Sequence, residues 1–388
     1  MTAQNAHIFC NHPGGNIRLL SVQDGRFELV QDMRDTSGWW FYWNFRAEGL
    51  EGQRVEFHFN DGNVVGYFGP AVSSDGIHWR WLGKESLLES QSGFWYQFGP
   101  EEKKTYFAYS LPYQLADFQR FLEEYRNHPA LSLRELCRSP KGRVHPLLCL
   151  SEPGGGEKEF SIVFTCRHHC CESTASYLLE GALREILKGT DCTLLQKYDL
   201  FVSPFMDLDG VEDGDQGKNR IPHDHNRDYL EQPLYTSVAK VMELCRSKKL
   251  IAGIDFHSPW LYGGENDQLY VVKGPEPFAA QQDRFAQLYQ EIMERNAAPD
   301  HIRYDARHSV PFGGGWNVEH PGASDFFRRQ GAPLSFTLET PYFGFYDAQQ
   351  GDMVYTPDNL RQAGRCFALA LEAYLEQLDY DAFMAALR

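Results

Sequence analysis

The chain has 388 residues, a formal net charge of −16 and 42% hydrophobic residues. At about 100–200 residues per domain, this length indicates two domains, and the hydrophobic fraction is large enough for a sizeable buried core. The excess of acidic residues argues against a nucleic-acid partner, because phosphate binding depends on Lys and Arg.

The start of the chain, MTAQNAHIFCNHPGGN, contains neither a basic n-region nor an apolar h-region. No apolar run reaches about 18 residues, so we expect no targeting segment and no membrane partner. The nine cysteines are scattered from Cys10 to Cys366 without a disulfide pattern. Reduced thiols and a cytoplasmic location fit this usage. The sequence leaves the oligomeric state open.

The first third of the chain is rich in aromatic and β-branched residues. Short runs of them occupy Trp39–Phe45, Val55–Phe59 and Thr105–Tyr109, and Gly, Asp and Asn residues separate the runs. This spacing is typical of antiparallel strands packed as a sandwich. We therefore predict an N-terminal β-sandwich domain at residues 1–115.

From residue 115 onwards the pattern changes to alternating helices and strands. Amphipathic or helix-favouring segments occupy 115–127, 173–187, 233–248, 277–296 and 357–378. Apolar strand segments occupy 160–165, 200–203, 250–256 and 334–338. This alternation predicts an α/β domain at residues 116–388, with a mixed, largely parallel sheet flanked by helices.

Side chains suited to metal chemistry follow three of these predicted strands. His169 and Glu172 follow the strand at 160–165, His257 follows the strand at 250–256, and Glu339 follows the strand at 334–338. Ligands of open α/β sheets bind beyond the carboxyl ends of the strands. Two histidines and a glutamate are a ligand set of catalytic zinc, which leaves a position for water. Glu339 is then the carboxylate expected to take a proton from that water.

Neighbouring residues offer alternatives to this ligand set. His168 competes with His169, but His169 leaves two residues before Glu172, and we prefer it on that spacing. Cys170 and Cys171 are also zinc ligand types, yet no second cysteine pair stands at a suitable distance. We interpret both as small residues of a tight loop.

A polar segment at Asp207–Tyr229 allows two interpretations. Four of its carboxylates could ligate calcium, namely Asp207, Asp209, Asp213 and Asp215. Their spacing differs from that of the usual calcium loop. In the other interpretation the segment is a substrate clamp, in which Arg227 binds a carboxylate through paired hydrogen bonds with Asn226 beside it.

Taken in order, these motifs resemble those of the M14 zinc metallocarboxypeptidases, and specifically the cytosolic carboxypeptidase branch. The matching pieces are His169-Cys-Cys-Glu172, Asn226-Arg227, His257 and the Glu339 of SFTLET. The segments WWFYWNFRAEGLEG and TYFAYSLPYQLADF resemble those of the β-sandwich that precedes the catalytic domain in this branch. The resemblance covers nearly the whole chain.

The resemblance implies a hydrolase that removes C-terminal residues from peptides or proteins. It implies one Zn²⁺ per chain on the ligand set above, and a zinc-bound water activated by Glu339. It further implies that Asn226 and Arg227 hold the substrate carboxylate and that Asp224 orients His169. Two alternatives stay open: a zinc amide hydrolase acting on a cell-wall peptide or acylated amino acid, and a catalytically silent zinc-containing binding module.

The chain departs from the branch at three positions. Gly217 stands where the branch has its oxyanion-stabilising arginine, so Lys218 or Arg220 must supply the charge, and we choose Arg220. Asn317 stands where the family has a mobile tyrosine. The floor of the specificity pocket is expected near Ser324, with Asp325 beside it, and neither residue is basic. The branch's preference for a particular C-terminal side chain is therefore not carried over to this chain.

Overall fold

The structure is a computed structural model that describes residues 7–34, 36, 38–60, 62–90, 92–189, 192–298 and 300–387. The N-terminal part consists of short strands. They are β1 (His7–Phe9), β2 (Arg18–Gln23), β3 (Arg26–Val30), β4 (Asn44–Glu48), β5 (Arg54–Phe59), β6 (Ala71–Ser73), β7 (Arg80–Trp81), β8 (Gly93–Gln97) and β9 (Lys104–Ala108). A 3₁₀ turn lies at Lys84–Ser86.

These strands form two sheets that share an aromatic core. One sheet is antiparallel in the order β1-β4-β9-β6-β7, and the other has the order β2-β3-β5-β8 with a parallel β3–β5 pair. Phe45 and Phe107 from the first sheet pack against Phe57 and Phe94 from the second, with Phe57–Phe107 ring centroids 5.3 Å apart. The predicted strands at 55–59 and 105–109 are confirmed within one residue.

The segment at 39–45 was predicted as a strand, and this prediction is wrong over most of its length. The strand begins only at Asn44. The backbone N–H groups of Phe41 and Tyr42 instead donate to Oε1 of Gln216, at 2.6 and 3.2 Å. A side chain from the later part of the chain therefore satisfies groups that a neighbouring strand would otherwise bind.

The remaining chain builds one seven-stranded sheet and its helices. The strands are β10 (Leu131–Arg138), β11 (Val144–Leu150), β12 (Phe160–Cys166), β13 (Tyr198–Ser203), β14 (Leu250–His257), β15 (Tyr270–Val272) and β16 (Leu334–Glu339). A small pair, β17 (Gly344–Phe345) and β18 (Met353–Val354), stands apart. The sheet order is β10-β11-β13-β12-β14-β16-β15, with the four strands β13, β12, β14 and β16 parallel.

Helices cover both faces of this sheet. They are α1 (Leu115–Glu124), α2 (Ser173–Ile186), α3 (Thr193–Lys197), α4 (Leu208–Asp213), α5 (Thr236–Arg246), α6 (Phe278–Arg295), α7 (Ala323–Arg329), α8 (Pro357–Gln377) and α9 (Tyr380–Ala386), with 3₁₀ turns at His225–Arg227, Gly264–Asp267 and Ala306–His308. Helices α2, α6 and α8 bury one face, and α5 and α7 bury the other. The five predicted helices and four predicted strands are confirmed, with shifts of a few residues at their ends.

The central strands end at the same edge of the sheet. His257 is the last residue of β14 and pairs directly with Glu339, the last residue of β16. Cys166 ends β12 opposite Phe256, so the following loop begins beside them. The sheet thus brings His169, His257 and Glu339 together although they are far apart in sequence. Within the described ranges, no helix is long and apolar enough to span a bilayer.

Candidate metal centre and substrate cavity

The Glu172 carboxylate stands between the two predicted histidine ligands. Nδ1 of His169 lies 2.8 Å from Oε1, and Nδ1 of His257 lies 2.8 Å from Oε2. The potential ligand atoms of these three residues all lie within 4.8 Å of one another. Oε2 of Glu172 is buried and receives no hydrogen bond within the described part of the chain. Two imidazole nitrogens and a carboxylate thus converge on one point, as a metal ion requires.

The outward-facing nitrogens of both histidines contact carboxylates. Nε2 of His169 lies 3.0 Å from Oδ2 of Asp224, and Nε2 of His257 lies 2.6 Å from Oδ2 of Asp255. These contacts favour the tautomer in which Nε2 carries the proton and Nδ1 offers its lone pair to a metal. The structure thus places Asp224 beside His169, where the resemblance implied it. Asp255 was not among the residues predicted from the sequence, although a charged residue within an otherwise apolar run was a signal.

His168 belongs to a second group that could hold a metal, together with Asp255 and His257. Nδ1 of His168 lies 2.9 Å from Oδ1 of Asp255, and Nε2 lies 2.8 Å from the hydroxyl of Tyr229. His168 and Asp255 are fully buried and do not line the cavity, whereas His169 and His257 do. A metal on the second group would be closed to substrate, so the group containing His169 is the better candidate.

The base expected to act on water, Glu339, stands beside this cluster. Its side chain is 8% exposed, and its Oε2 has no hydrogen-bond partner among the described residues. Burial raises the pKa of Glu339 to about 7, against the opposing charge of His257. A carboxylate with such a pKa both accepts and releases a proton near neutral pH.

Lys218 is the cation inside the ligand cluster. Its ammonium contacts Oε1 of Glu172 and donates to the backbone oxygen of Ser258 at 3.0 Å. Burial opposes the charge on Glu172, but the Lys218 ammonium and the flanking histidines hold the pKa of this carboxyl well below its usual value. Glu172 is therefore ionised, as a metal ligand must be.

Arg220 was chosen from the sequence as the cation that stabilises the oxyanion, but its position does not agree with this choice. Its guanidinium contacts Asp207 and lies 3.2 Å from Oδ2 of Asp215, and it does not line the cavity. Buried carboxylates draw the arginine away from the site because an unpaired buried charge is costly. The geometry therefore favours Lys218 for this role.

The four acidic residues that could ligate calcium are paired with basic side chains. Asp207 and Asp215 bind Arg220, while Asp209 and Asp213 both bind Arg143, at 2.6 and 2.7 Å. Arg34 also pairs with Asp215 and Lys141 with Asp213, and the four carboxylates form no metal-binding group in the part of the chain that the structure describes.

Asn226 and Arg227 lie in the 3₁₀ turn beside the cluster, and both line the cavity. Oδ1 of Asn226 accepts the N–H of Ala323 at 3.0 Å, and its Nδ2 lies 3.1 Å from Nε2 of His257. The guanidinium of Arg227 donates to the backbone oxygen of Asn226 at 2.9 Å. This turn therefore carries a cation on the cavity wall next to the metal ligands.

These groups open into one cavity of about 390 Å³. Ser324 and Asp325 line it, as expected for the floor of the pocket, and Trp260 and Trp316 also contribute. Asn317 lines it too, but its amide donates to the backbone oxygens of Lys273 and Val310 at 2.8 and 3.2 Å. Asn317 thus holds two chain segments together.

The N-terminal sheets support the loop that carries the ligands. The hydroxyl of Tyr109 donates to the backbone oxygen of Cys171 at 2.7 Å, and Cys171 packs within the aromatic core of those sheets. Cys170 is buried as well, with Sγ 3.0 Å from the backbone oxygen of Asp215. Neither thiol belongs to a metal-binding group in the described residues, which agrees with the interpretation as a tight loop.

Comparison with known proteins finds cytosolic carboxypeptidases among the relatives of this chain. The chain is 28% identical over 334 residues to cytosolic carboxypeptidase 2 of Xenopus tropicalis, which covers 78% of this chain and 33% of that protein. It therefore spans about a third of that relative's length. No family model matches the chain.

Two solved structures share the fold over almost the whole chain. The metallo-carboxypeptidase from Burkholderia cenocepacia has a TM-score of 0.75 at 19% identity, covering 96% of this chain and 99% of that chain. The metallo-carboxypeptidase from Pseudomonas aeruginosa, in complex with (2-guanidinoethylmercapto)succinic acid, has a TM-score of 0.76 at 21% identity, covering 96% and 100%. The chain has the metallocarboxypeptidase fold and is distantly homologous to cytosolic carboxypeptidases 2 and 3.

Proposed function

We propose that this chain, which has the metallocarboxypeptidase fold, is a zinc-dependent carboxypeptidase that removes single residues from the C-termini of peptides or proteins. The observation that carries the proposal is the convergence of Nδ1 of His169, Nδ1 of His257 and the Glu172 carboxylate at the cavity. Glu339 and Arg227 line the same cavity. A metal site, a base and a carboxylate-binding cation are thus within reach of one bound peptide end.

The metal and Glu339 have different roles in hydrolysis of the last peptide bond. When bound, zinc supplies a Lewis acid that lowers the pKa of water and polarises a carbonyl. Glu339 takes a proton from the attacking water and delivers it to the departing amine nitrogen. The water oxygen joins the carbonyl carbon, and the carbon–nitrogen bond breaks. Burial of Glu339 favours uptake of the proton that it carries between the water and the amine.

Lys218 is expected to stabilise the negative charge that develops on the carbonyl oxygen. Replacing it with Met should lower kcat by about 10²- to 10³-fold, as loss of an oxyanion donor does in other hydrolases. The matched variant is Arg220→Lys, which keeps a cation beside Asp207 and should retain kcat. Steady-state kinetics on a zinc-loaded sample measure both. A full loss in Arg220→Lys alone would return the role to Arg220.

Arg227 is expected to bind the free carboxylate of the substrate. A hydrogen bond to a charged group contributes about 1.5–3 kcal/mol, so Arg227→Ala should lower kcat/KM by about 10- to 150-fold for a peptide acid. The same peptide with a C-terminal amide is the matched substrate, and its slow hydrolysis should not change. Unchanged turnover of the preferred substrate in this variant would support the alternative of a zinc amide hydrolase.

The proposed function is tested by exposing a peptide library to zinc-loaded protein and following the products by mass spectrometry. We expect loss of single C-terminal residues, abolished by a chelator and restored by added zinc. Cleavage at internal bonds would contradict an exopeptidase. A fully metallated protein that is inert towards the whole library would support the silent binding module instead.

A further inference from the structure

The cavity wall next to Glu339 is built by two antiparallel strands. In the register of β15 and β16, Tyr270 stands opposite Glu339, and Val272 stands opposite Thr337. Directly opposite residues, and every second residue along a strand, share one face of a sheet. All four of these residues line the cavity. The intervening Val271 belongs to the core behind the sheet.

Hydroxyl groups on this wall have hydrogen-bonding capacity to spare. Tyr270 is 1% exposed, and its hydroxyl forms no hydrogen bond within the described part of the chain. Burial, followed by the charge of Glu339, raises the pKa of Tyr270 well above its usual value, so the phenol keeps its proton. Thr337 donates to Oγ of Ser324 at 3.3 Å, which leaves the Ser324 proton available.

Two cations that line the cavity, Arg328 and Lys273, are paired with carboxylates. Arg328 contacts Oδ1 of Asp325 one turn earlier on α7, and both side chains are less than a tenth exposed. Nζ of Lys273 lies 2.9 Å from Oδ1 of Asp283. Each cation therefore has its own carboxylate, and these two pairs carry no net charge. The Asp325–Arg328 pair is buried, and a buried charge without a counter-charge is costly, so this part of the wall disfavours either sign of substrate charge.

We propose that this pocket selects a C-terminal residue with an uncharged, hydrogen-bonding side chain, and that the Asp325–Arg328 pair excludes charged ones. The carboxamide of glutamine or asparagine fits best, because it donates and accepts hydrogen bonds as the wall hydroxyls do. The inference rests on the proposed function, in which a C-terminal residue held by Arg227 occupies the cavity that Tyr270 and Asp325 also line. Tyr270 is then the residue that binds the carboxamide.

The test measures binding apart from turnover. Calorimetry on the zinc-loaded Glu339→Gln protein compares N-acetyl derivatives of Gln, Glu, Lys and Leu. We expect the Gln derivative to bind most tightly, with the Glu and Lys derivatives at least about tenfold weaker. Tyr270→Phe should weaken the Gln derivative by about three- to tenfold and leave the Leu derivative unchanged. Tightest binding of Glu or Lys, or equal binding of Gln and Leu, would overturn the proposal.

Changes in the pocket's own charge give responses of opposite sign. Asp325→Asn leaves Arg328 without its counter-charge, so the affinity for the Glu derivative relative to the Gln derivative should rise by about tenfold. Arg328→Gln leaves Asp325 without its counter-charge, so the affinity for the Lys derivative relative to the Gln derivative should rise by about tenfold. If neither variant folds, Lys273→Met tests the same idea, because it exposes Asp283 and should favour Lys. The matched control is Asp305→Asn, whose partner Arg307 lies outside the cavity. Equal weakening of all four ligands in the pocket variants would overturn the proposal.

Failure of this inference is distinguishable from failure of the proposed function. Peptides ending in the same four residues are offered to the wild-type zinc-loaded protein. If the binding order holds but none is hydrolysed, the pocket preference stands and the carboxypeptidase function falls. If hydrolysis occurs with Glu or Lys strongly preferred, the function stands and the pocket inference falls.

Discussion

Replacing Glu339 with Gln should lower kcat by about 10²- to 10⁴-fold while zinc binding stays intact. The amide has nearly the shape of the carboxylate but cannot take a proton from water. Glu339 is not one of the three residues whose ligand atoms converge, so its loss leaves the metal site complete. Metal content measured by mass spectrometry, alongside kcat on a peptide acid, separates the two effects.

The matched control for this prediction is Glu265→Gln. Glu265 also lines the cavity, but it accepts a hydrogen bond from Nε1 of Trp316 at 3.0 Å, away from the ligand cluster. We expect its replacement to change KM more than kcat. Unchanged kcat in Glu339→Gln would remove the base from the proposed mechanism.

Replacing His169 with Ala should remove bound zinc and, with it, turnover. His169 supplies one of the converging nitrogens, whereas the adjacent His168 contacts Asp255, which in turn contacts His257. His168→Gln should therefore weaken zinc binding by about 10- to 100-fold, as the loss of an outer partner does, and the loss in His169→Ala should be larger. Competition with a metal-sensitive dye measures both affinities.

The pair of variants also decides between the two metal-binding groups. If His168→Gln abolished zinc binding and His169→Ala spared it, the metal would belong to the fully buried group of His168, Asp255 and His257. Thermal unfolding of both metal-free variants serves as the control, because His168 is fully buried and its loss also affects stability. Zinc added in excess should restore turnover to His168→Gln only.

The sequence predicted the central part of the sheet well because those strands are short, mostly apolar runs. All of the residues in β14 and β16 are buried, and each strand is preceded by a helix, α5 or α7. The outer strand β10 was missed, since most of its positions are exposed and no alternation marks it. The predicted domain boundary after residue 115 stays a prediction.

The order of motifs predicted most of the candidate site. The positions of Lys218, Arg220, Tyr270 and Arg328 could not be predicted in this way, because they depend on how the backbone turns and packs. Gly217 and Asn219 have φ angles of 80° and 54°, so the backbone turns sharply on both sides of Lys218. Lys218 is thereby aimed at Glu172 and Arg220 is aimed away, which spacing alone could not show. Tyr270 and Arg328 were missed because they reach the cavity from an edge strand and a helix whose positions depend on tertiary packing.

The most direct test of the central claim is a zinc titration of the metal-free protein with product release followed in the same samples. The substrate is a peptide with a free C-terminus, and its C-terminal amide serves as the blank. We predict that release of the last residue rises in proportion to bound zinc and stops rising at one zinc per chain. Full zinc occupancy without release, or release that does not depend on zinc, would contradict the proposed zinc-dependent removal of C-terminal residues.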